Sequence, residues 1–183
     1  DYTLRMSQNI KGWTYRIFAD DLDAASFGAF APLVEIWRAK AGAGRYPDWR
    51  DFDIIEDFPA WWGRLSLAEI IDDPFDIEFA LWGTTITDWW GIDYTRKKMS
   101  EVYHNRQANW EKYEGPYFKT LAGAGGIGII SGDLRVLERG HVVVQGIDLP
   151  LSRGGRVSHV LSGYRLAGDG DHPVSGVKPV WQL

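Results

Sequence analysis

Cysteine is absent from all 183 residues, which excludes disulfides, thiolate nucleophiles, iron-sulfur clusters and cysteine-ligated zinc together. Positive charge is scarce as well: 20 Lys and Arg stand against 25 Asp and Glu, a formal net charge of -5. A chain of that sign lacks the electrostatic footprint for nucleic acid or an anionic membrane, and neither is expected as a partner. Apolar runs are short. None approaches the roughly 20 residues that span a bilayer, and the N-terminus carries no basic-then-apolar signal pattern. With cysteine also missing, a cytoplasmic location is the expectation. No serine lies in a G-x-S-x-G elbow. The glycine run Gly123-Ala124-Gly125-Gly126 follows a helical pattern and precedes a strand pattern, the reverse of a phosphate-binding loop.

What is present is a large apolar payload, 45% of residues, with ten tryptophans among them. That is enough for one well-filled core and too short a chain for two ordinary domains. The organising stretch is DIEFALWGTTITDWWGIDYTRKK, Asp76 to Lys98. Ile77, Phe79 and Leu81 alternate with Asp76, Glu78 and Ala80, the period of a half-buried strand. From Gly83 the pattern turns helical: Ile86, Trp89 and Trp90 share a face, and Gly91 stops the helix.

Upstream, Ser66 to Ile71 reads as a strand joined to the Asp76 strand by the turn residues Asp72-Asp73-Pro74. Pro32 to Ala41 is a helix with Leu33, Ile36 and Trp37 on one side. Phe27 and Phe30 prolong that stripe, so the helix begins either at Pro32 or near Ala24 with a kink at Pro32. Pro47 and Pro59 suggest short helical turns over Tyr46 to Gly63. The run KGWTYRIF fits a short strand or an arm. Downstream, Trp110, Tyr113, Tyr117, Phe118 and Leu121 fall on one face of a helix from about Gln107 to Ala122, bent at Pro116. Gly128 to Leu137, His141 to Leu151 and Val157 to Leu166 are three strands joined by hairpin-length loops. The expected fold class is α+β: an antiparallel sheet of five strands with helices between strands two and three and an N-terminal helix. Residues 1–31 read as an N-terminal extension, 32–166 as the domain and 167–183 as a tail.

Three segments in this order resemble the bacterial PAS-like domains. They are LVEIWRAKAGAGRYPDWRDFD, then FALWGTTITDWWGIDYTRKKMSEV with Gly83-Thr84 after the strand and Gly91-Ile92-Asp93 after the helix, then DLPLSRGGRVSHVLSGY. The similarity covers about Leu33 to Leu166. The family usually carries Gly-Arg after the Gly-x-Asp turn, where this chain has Thr95-Arg96. The resemblance implies a five-stranded PAS sheet, a sensory or regulatory role, and a pocket between the sheet and the middle helices.

The rings expected at that pocket are Trp82, Trp89, Trp90, Trp110, Tyr113 and Tyr117, although core filling alone explains most of them. Polar candidates are Arg96, His104, Gln145 and His159, with Arg135 and His141 as further choices, since small-molecule pockets are apolar with a few converging polar groups. His104 lies where some PAS proteins place a haem ligand, but a lone imidazole specifies no haem. Flavin photochemistry in the light-sensing relatives uses a cysteine, which is missing. His141 and His159, on neighbouring strands, specify no zinc without a carboxylate. No cofactor is assigned. The expected partner is a small apolar or aromatic ligand, with a homodimer through Leu33, Ile36 and Trp37 unless that stripe covers the sheet instead. The alternative is a small cupped enzyme using Asp88 or Asp93 as a buried general base, with Tyr113 or Tyr117 donating a hydrogen bond.

Overall fold

The computed structural model describes residues 13–102, 110–168 and 171–183. Its centre is a seven-stranded antiparallel sheet: β1 (Thr14–Phe18), β2 (Leu65–Ile71), β3 (Asp76–Trp82), β4 (Ile127–Leu134), β5 (Arg139–Arg153), β6 (Arg156–Leu166) and β7 (Trp181–Gln182), in the order β3-β2-β6-β5-β4-β1-β7. Four α-helices are described: α1 (Ala31–Ala41), α2 (Ile54–Asp57), α3 (Thr84–Trp90) and α4 (Gly115–Ala124). The class is α+β, as the alternation of periods implies, but the sheet has seven strands where five were expected. The two additional strands come from residues read as extension and tail. Tyr15 and Ile17 point to one face and Phe18 to the other, so KGWTYRIF supplies β1, which pairs with β4 on one side and β7 on the other.

Both faces of this sheet are covered. On the outer face, α1 lays Leu33, Val34 and Trp37 against Ile129, Ile147, Leu149 and Leu161. Burying side chains of this size stabilises by about 1.5–3 kcal/mol each. Trp37 also donates Nε1–H to the Pro150 carbonyl at 2.8 Å. The helix sits this close because β6 presents Gly163 beneath it; a Cβ there would lie 2.4 Å from Leu33 Cδ1. Leu33 and Trp37 are therefore spent within the chain, and the stripe offered for self-association is a sheet-covering surface, with Ile36 half-buried beside it. The kink upstream falls at Gly28 (φ 58°), inside the 3₁₀ stretch Ala24–Phe30 that leads into α1, and Pro32 occupies the first turn of α1 where its missing N–H costs nothing.

On the inner face, α3 and α4 cover the sheet with Ile86, Trp90, Tyr117, Phe118 and Leu121. The expected long helix begins outside the described residues, and from Trp110 onward it is instead a π turn over Trp110–Glu114 followed by α4, with Pro116 in its first turn and Gly125 ending it. Between Tyr46 and Gly63 the chain makes the anticipated short turns, Trp49–Asp51, α2 and Pro59–Trp61. The apolar residues of β5 divide by parity. Ile147, Leu149 and Leu151 serve the outer core, and Val144 serves the inner one.

Candidate functional site

The inner face carries one row of residues running straight across the sheet. Cross-strand registers place Trp82 opposite Ser66, Ser66 opposite Ser162, Ser162 opposite Asp148, Asp148 opposite Gly128, Gly128 opposite Ile17 and Ile17 opposite Trp181. At its centre is Asp148, a carboxylate only 1% exposed. From α4, the Tyr117 hydroxyl donates to Asp148 Oδ2 at 2.5 Å, and from β6 the Ser162 hydroxyl donates to Oδ1 at 2.5 Å. Burial pushes the Asp148 carboxyl up to about 6, and the two hydroxyl donors pull the other way. Burial and then the Asp148 charge push the Tyr117 phenol well above its ordinary value.

Gly128 makes this arrangement sterically possible. A Cβ built there would stand 1.8 Å from the Tyr117 hydroxyl oxygen, so the ring can lower its oxygen onto Asp148 only over a bare backbone. Two further polar pairs flank the centre. Ser66 Oγ and Tyr164 Oη lie 3.0 Å apart, and the Tyr15 hydroxyl donates to Glu114 Oε1 at 3.2 Å. Around Tyr164 stand the rings of Trp82 and Trp90, with centroids 5.8 and 5.4 Å away, and Tyr94 lies 4.7 Å from Trp82. Trp82 Nε1 is buried in this cage without an acceptor among the described residues.

Of the residues singled out by sequence, Trp82, Trp90, Trp110 and Tyr117 come together in the buried inner core, and Trp89 and Tyr113 pack half-buried against it. Three others do not join them. Arg96 is exposed and adopts a positive φ of 63°, its N–H donating to the Phe79 carbonyl. Gln145 lies on the outer face, where its Oε1 accepts from Arg165 at 2.8 Å. His159 is also on the outer face, stacked on Trp49 at 4.4 Å, and burial lowers its pKa. His104 lies outside the described residues. Of the two further choices, Arg135 is exposed in a pair with Asp133, and His141 is exposed at the far end of β5 from the turn that His159 adjoins.

The carboxylates of the enzyme alternative are displaced likewise. Asp88 is exposed, and Asp93 accepts from Thr95 N and Oγ1 in a turn, contacts that lower its pKa. Among the described residues, with Asp76 and Glu114 less completely buried, the most deeply buried carboxylate is Asp148, at 1% exposure. Its signal in the sequence was a single acid inside the run VVVQGIDLPL, where every other inner-facing position is apolar or glycine.

Clefts also open on the outer face. One of about 300 Å³ lies under Trp49, Phe52 and Ile54, floored by Leu67, Leu151 and Leu161. Another of about 540 Å³ lies between β1, β4, β5 and the segment His172 to Val177. Among the described residues no group of three or more His, Asp or Glu side chains is placed to hold a metal ion, and no helix is long and apolar enough to cross a membrane. Comparison of the chain with protein-family models, with curated proteins and with solved structures finds no match.

Proposed function

We propose that the chain is a non-catalytic, PAS-like sensory or regulatory domain that takes a small apolar or aromatic molecule against the inner face of the sheet. Two features of the fold support the family reading. Strands β2 to β6 are contiguous in the sheet, and α3 and α4 fall between the second and third of them in sequence, the arrangement that the resemblance implies. The helices cover the inner face with aromatic side chains rather than with aliphatic ones alone.

The observation that carries the ligand reading is the buried cage of Trp82, Trp90, Tyr94 and Tyr164 beside the polar row of Ser66, Ser162 and Asp148. A mostly apolar surface with a few convergent polar groups is the usual composition of a small-molecule site. A carboxylate held out of water costs stability relative to an apolar residue of the same shape, so its retention here favours a role beyond packing. Binding that reorders α3 or α4 would shift the surface those helices present, which is the way such a domain would transmit a signal.

The enzyme alternative is less well supported. Asp148 has the burial and the tyrosine partner that reading requires, but each of its oxygens already accepts a hydroxyl proton, and it is 1% exposed.

Native mass spectrometry of protein purified without denaturation tests the reading, together with titration by the neutral aromatic probe N-phenyl-1-naphthylamine. The expected result is added mass released on unfolding, or saturable probe binding that Trp82→Ala weakens in folded protein. Bare polypeptide mass together with no saturable probe uptake would overturn it.

A further inference from the structure

The second outer-face cleft, of about 540 Å³, has a composition that the inner-face reading leaves unused. Arg16 enters it from β1, opposite Ile129 of β4. Its guanidinium lies over the Phe18 ring at 5.3 Å, within cation–π range. Its Nε is buried with no hydrogen-bond partner, and Arg16 forms no ion pair among the described residues. Among the described residues no Asp or Glu lines the cleft. The nearby Asp171 is committed to Arg165 at 2.5 Å. A cation half removed from water without a counter-charge is costly, and burial alone accounts for the lowered pKa of this arginine.

The roof of the cleft is built in an unusual way. Val174 adopts a positive φ of 56°, a conformation that β-branched residues rarely take. It is held there by its N–H to the Ser26 carbonyl at 2.6 Å and by the Val177 N–H donating back to the Val174 carbonyl at 3.1 Å. Residues in such backbone regions persist where the surroundings over-determine them, and they concentrate at ligand clamps. Here the strained turn brings His172 and Ser175 to the cleft that holds Arg16.

We propose that this cleft binds a small organic monocarboxylate, its carboxylate taken by the Arg16 fork and its apolar body lying against Ile129, Pro173 and Val177. A guanidinium matches a carboxylate with two parallel hydrogen bonds. One permanent cation answers one negative charge. A phosphate dianion calls for several cations or a nest of backbone N–H groups, whereas the remaining polar lining here is hydroxyl, amide and imidazole. The site lies on the face opposite the aromatic cage, so its test stands apart from that of the inner-face ligand.

The test is calorimetric titration of the full chain with benzoate, with benzamide and inorganic phosphate as controls. Saturable benzoate binding is expected, with benzamide and phosphate each at least about tenfold weaker, a difference of about 1.4 kcal/mol. Arg16→Gln should lower benzoate affinity at least about tenfold while thermal unfolding stays the same or rises, since an unpaired charge leaves a half-buried site. Arg16→Lys, which keeps the charge and loses the fork, should fall between. Benzoate that fails to saturate, benzamide that binds equally, phosphate that binds more tightly, or benzoate binding indifferent to Arg16→Gln would each overturn the proposal. If Arg16→Gln does not fold, Arg16→Lys with undiminished affinity, or 4-iodobenzoate located by its anomalous signal away from the cleft, overturns it equally.

Discussion

Tyr117 reaches Asp148 through the space above Gly128: its hydroxyl donates to the carboxylate at 2.5 Å, over a glycine whose Cβ would stand 1.8 Å from that same oxygen. Helix α4, the sheet and the most deeply buried acid among the described residues are thus joined at a single point. Removing the space and removing the hydroxyl should therefore have coupled effects.

Gly128→Ala should destabilise the protein by about 3 kcal/mol, the sum of overpacking and of a buried acceptor deprived of its donor. Tyr117→Phe alone should cost about 1–3 kcal/mol, because the carboxylate stays buried with one hydroxyl fewer. In the double variant the lost hydrogen bond is counted once, so the pair should be less destabilised than the two singles added. Urea unfolding of the four proteins checks this; simple additivity would show that Gly128 and Tyr117 do not meet as described.

Asp148 should also write itself into the pH dependence of stability. Its carboxyl is raised to about 6 in the folded protein from an ordinary 3.8. Between those values the folded state holds the proton more than the unfolded chain does, so stability falls as pH rises from about 4 to about 6 and is level above. The loss across that window is on the order of 3 kcal/mol. Asp148→Asn can keep an acceptor for Tyr117 and turn its amide toward Ser162, so it should fold and lack this slope. Other groups cancel in the difference between the two proteins, measured by urea unfolding at a series of pH values. A difference that is flat between pH 4 and 6 would show that Asp148 is not raised.

The stripe on α1 makes an independent prediction. Leu33 is 1% exposed against Gly163 and the outer core. Leu33→Ala should cost about 2–5 kcal/mol of stability and leave the mass measured by light scattering where it was. A variant of unchanged stability that instead changes assembly state would restore the self-association reading of Leu33, Ile36 and Trp37.

The parts of this fold legible in sequence were those that local pattern decides. The alternation from Asp76 to Trp82, the helical spacing of Ile86 and Trp90 up to Gly91, and the turn residues around Asp72 each fix a local conformation whatever lies beyond, and β3, α3 and the β2-β3 hairpin follow them. KGWTYRIF fits a strand or an arm, and what local pattern does not give is its place in the sheet, nor β7 at all, because the partners are remote: Ile17 pairs with Gly128 and Trp181, and no local signal in a short mixed segment states that. Face assignment failed for a similar reason. Gln145 and His159 each read as available polar groups on strands, but only the register with neighbouring strands tells which side of the sheet a given parity occupies. Asp148 likewise carries no local mark of its burial: it sits in an ordinary alternating strand, and the cross-strand row with Ser162 and Gly128 is what encloses it.

His159 carries the last prediction. It is stacked on Trp49 at 4.4 Å, its Nδ1 lies 2.8 Å from Ser158 Oγ, and burial is the leading cause lowering its pKa from 6.5. The Glu69 carboxylate opposes that shift, and Arg153 adds to it. With the folded value below the unfolded one, the unfolded chain binds the proton more readily over the intervening pH range. The neutral ring's contribution is therefore complete above about pH 6.5 and is lost as pH falls through the folded value. This slope is opposite in sign to that of Asp148, so the two partly offset one another in the unsubstituted protein below pH 6.5. His159→Phe keeps a ring against Trp49 and cannot be protonated; relative to the parent it should gain stability steadily as pH falls from 6.5 toward 5. In a carbon-resolved NMR titration the His159 ring should move with a midpoint below 6.5, and a midpoint at or above that value would mean that the stacked imidazole is not shielded from water as described.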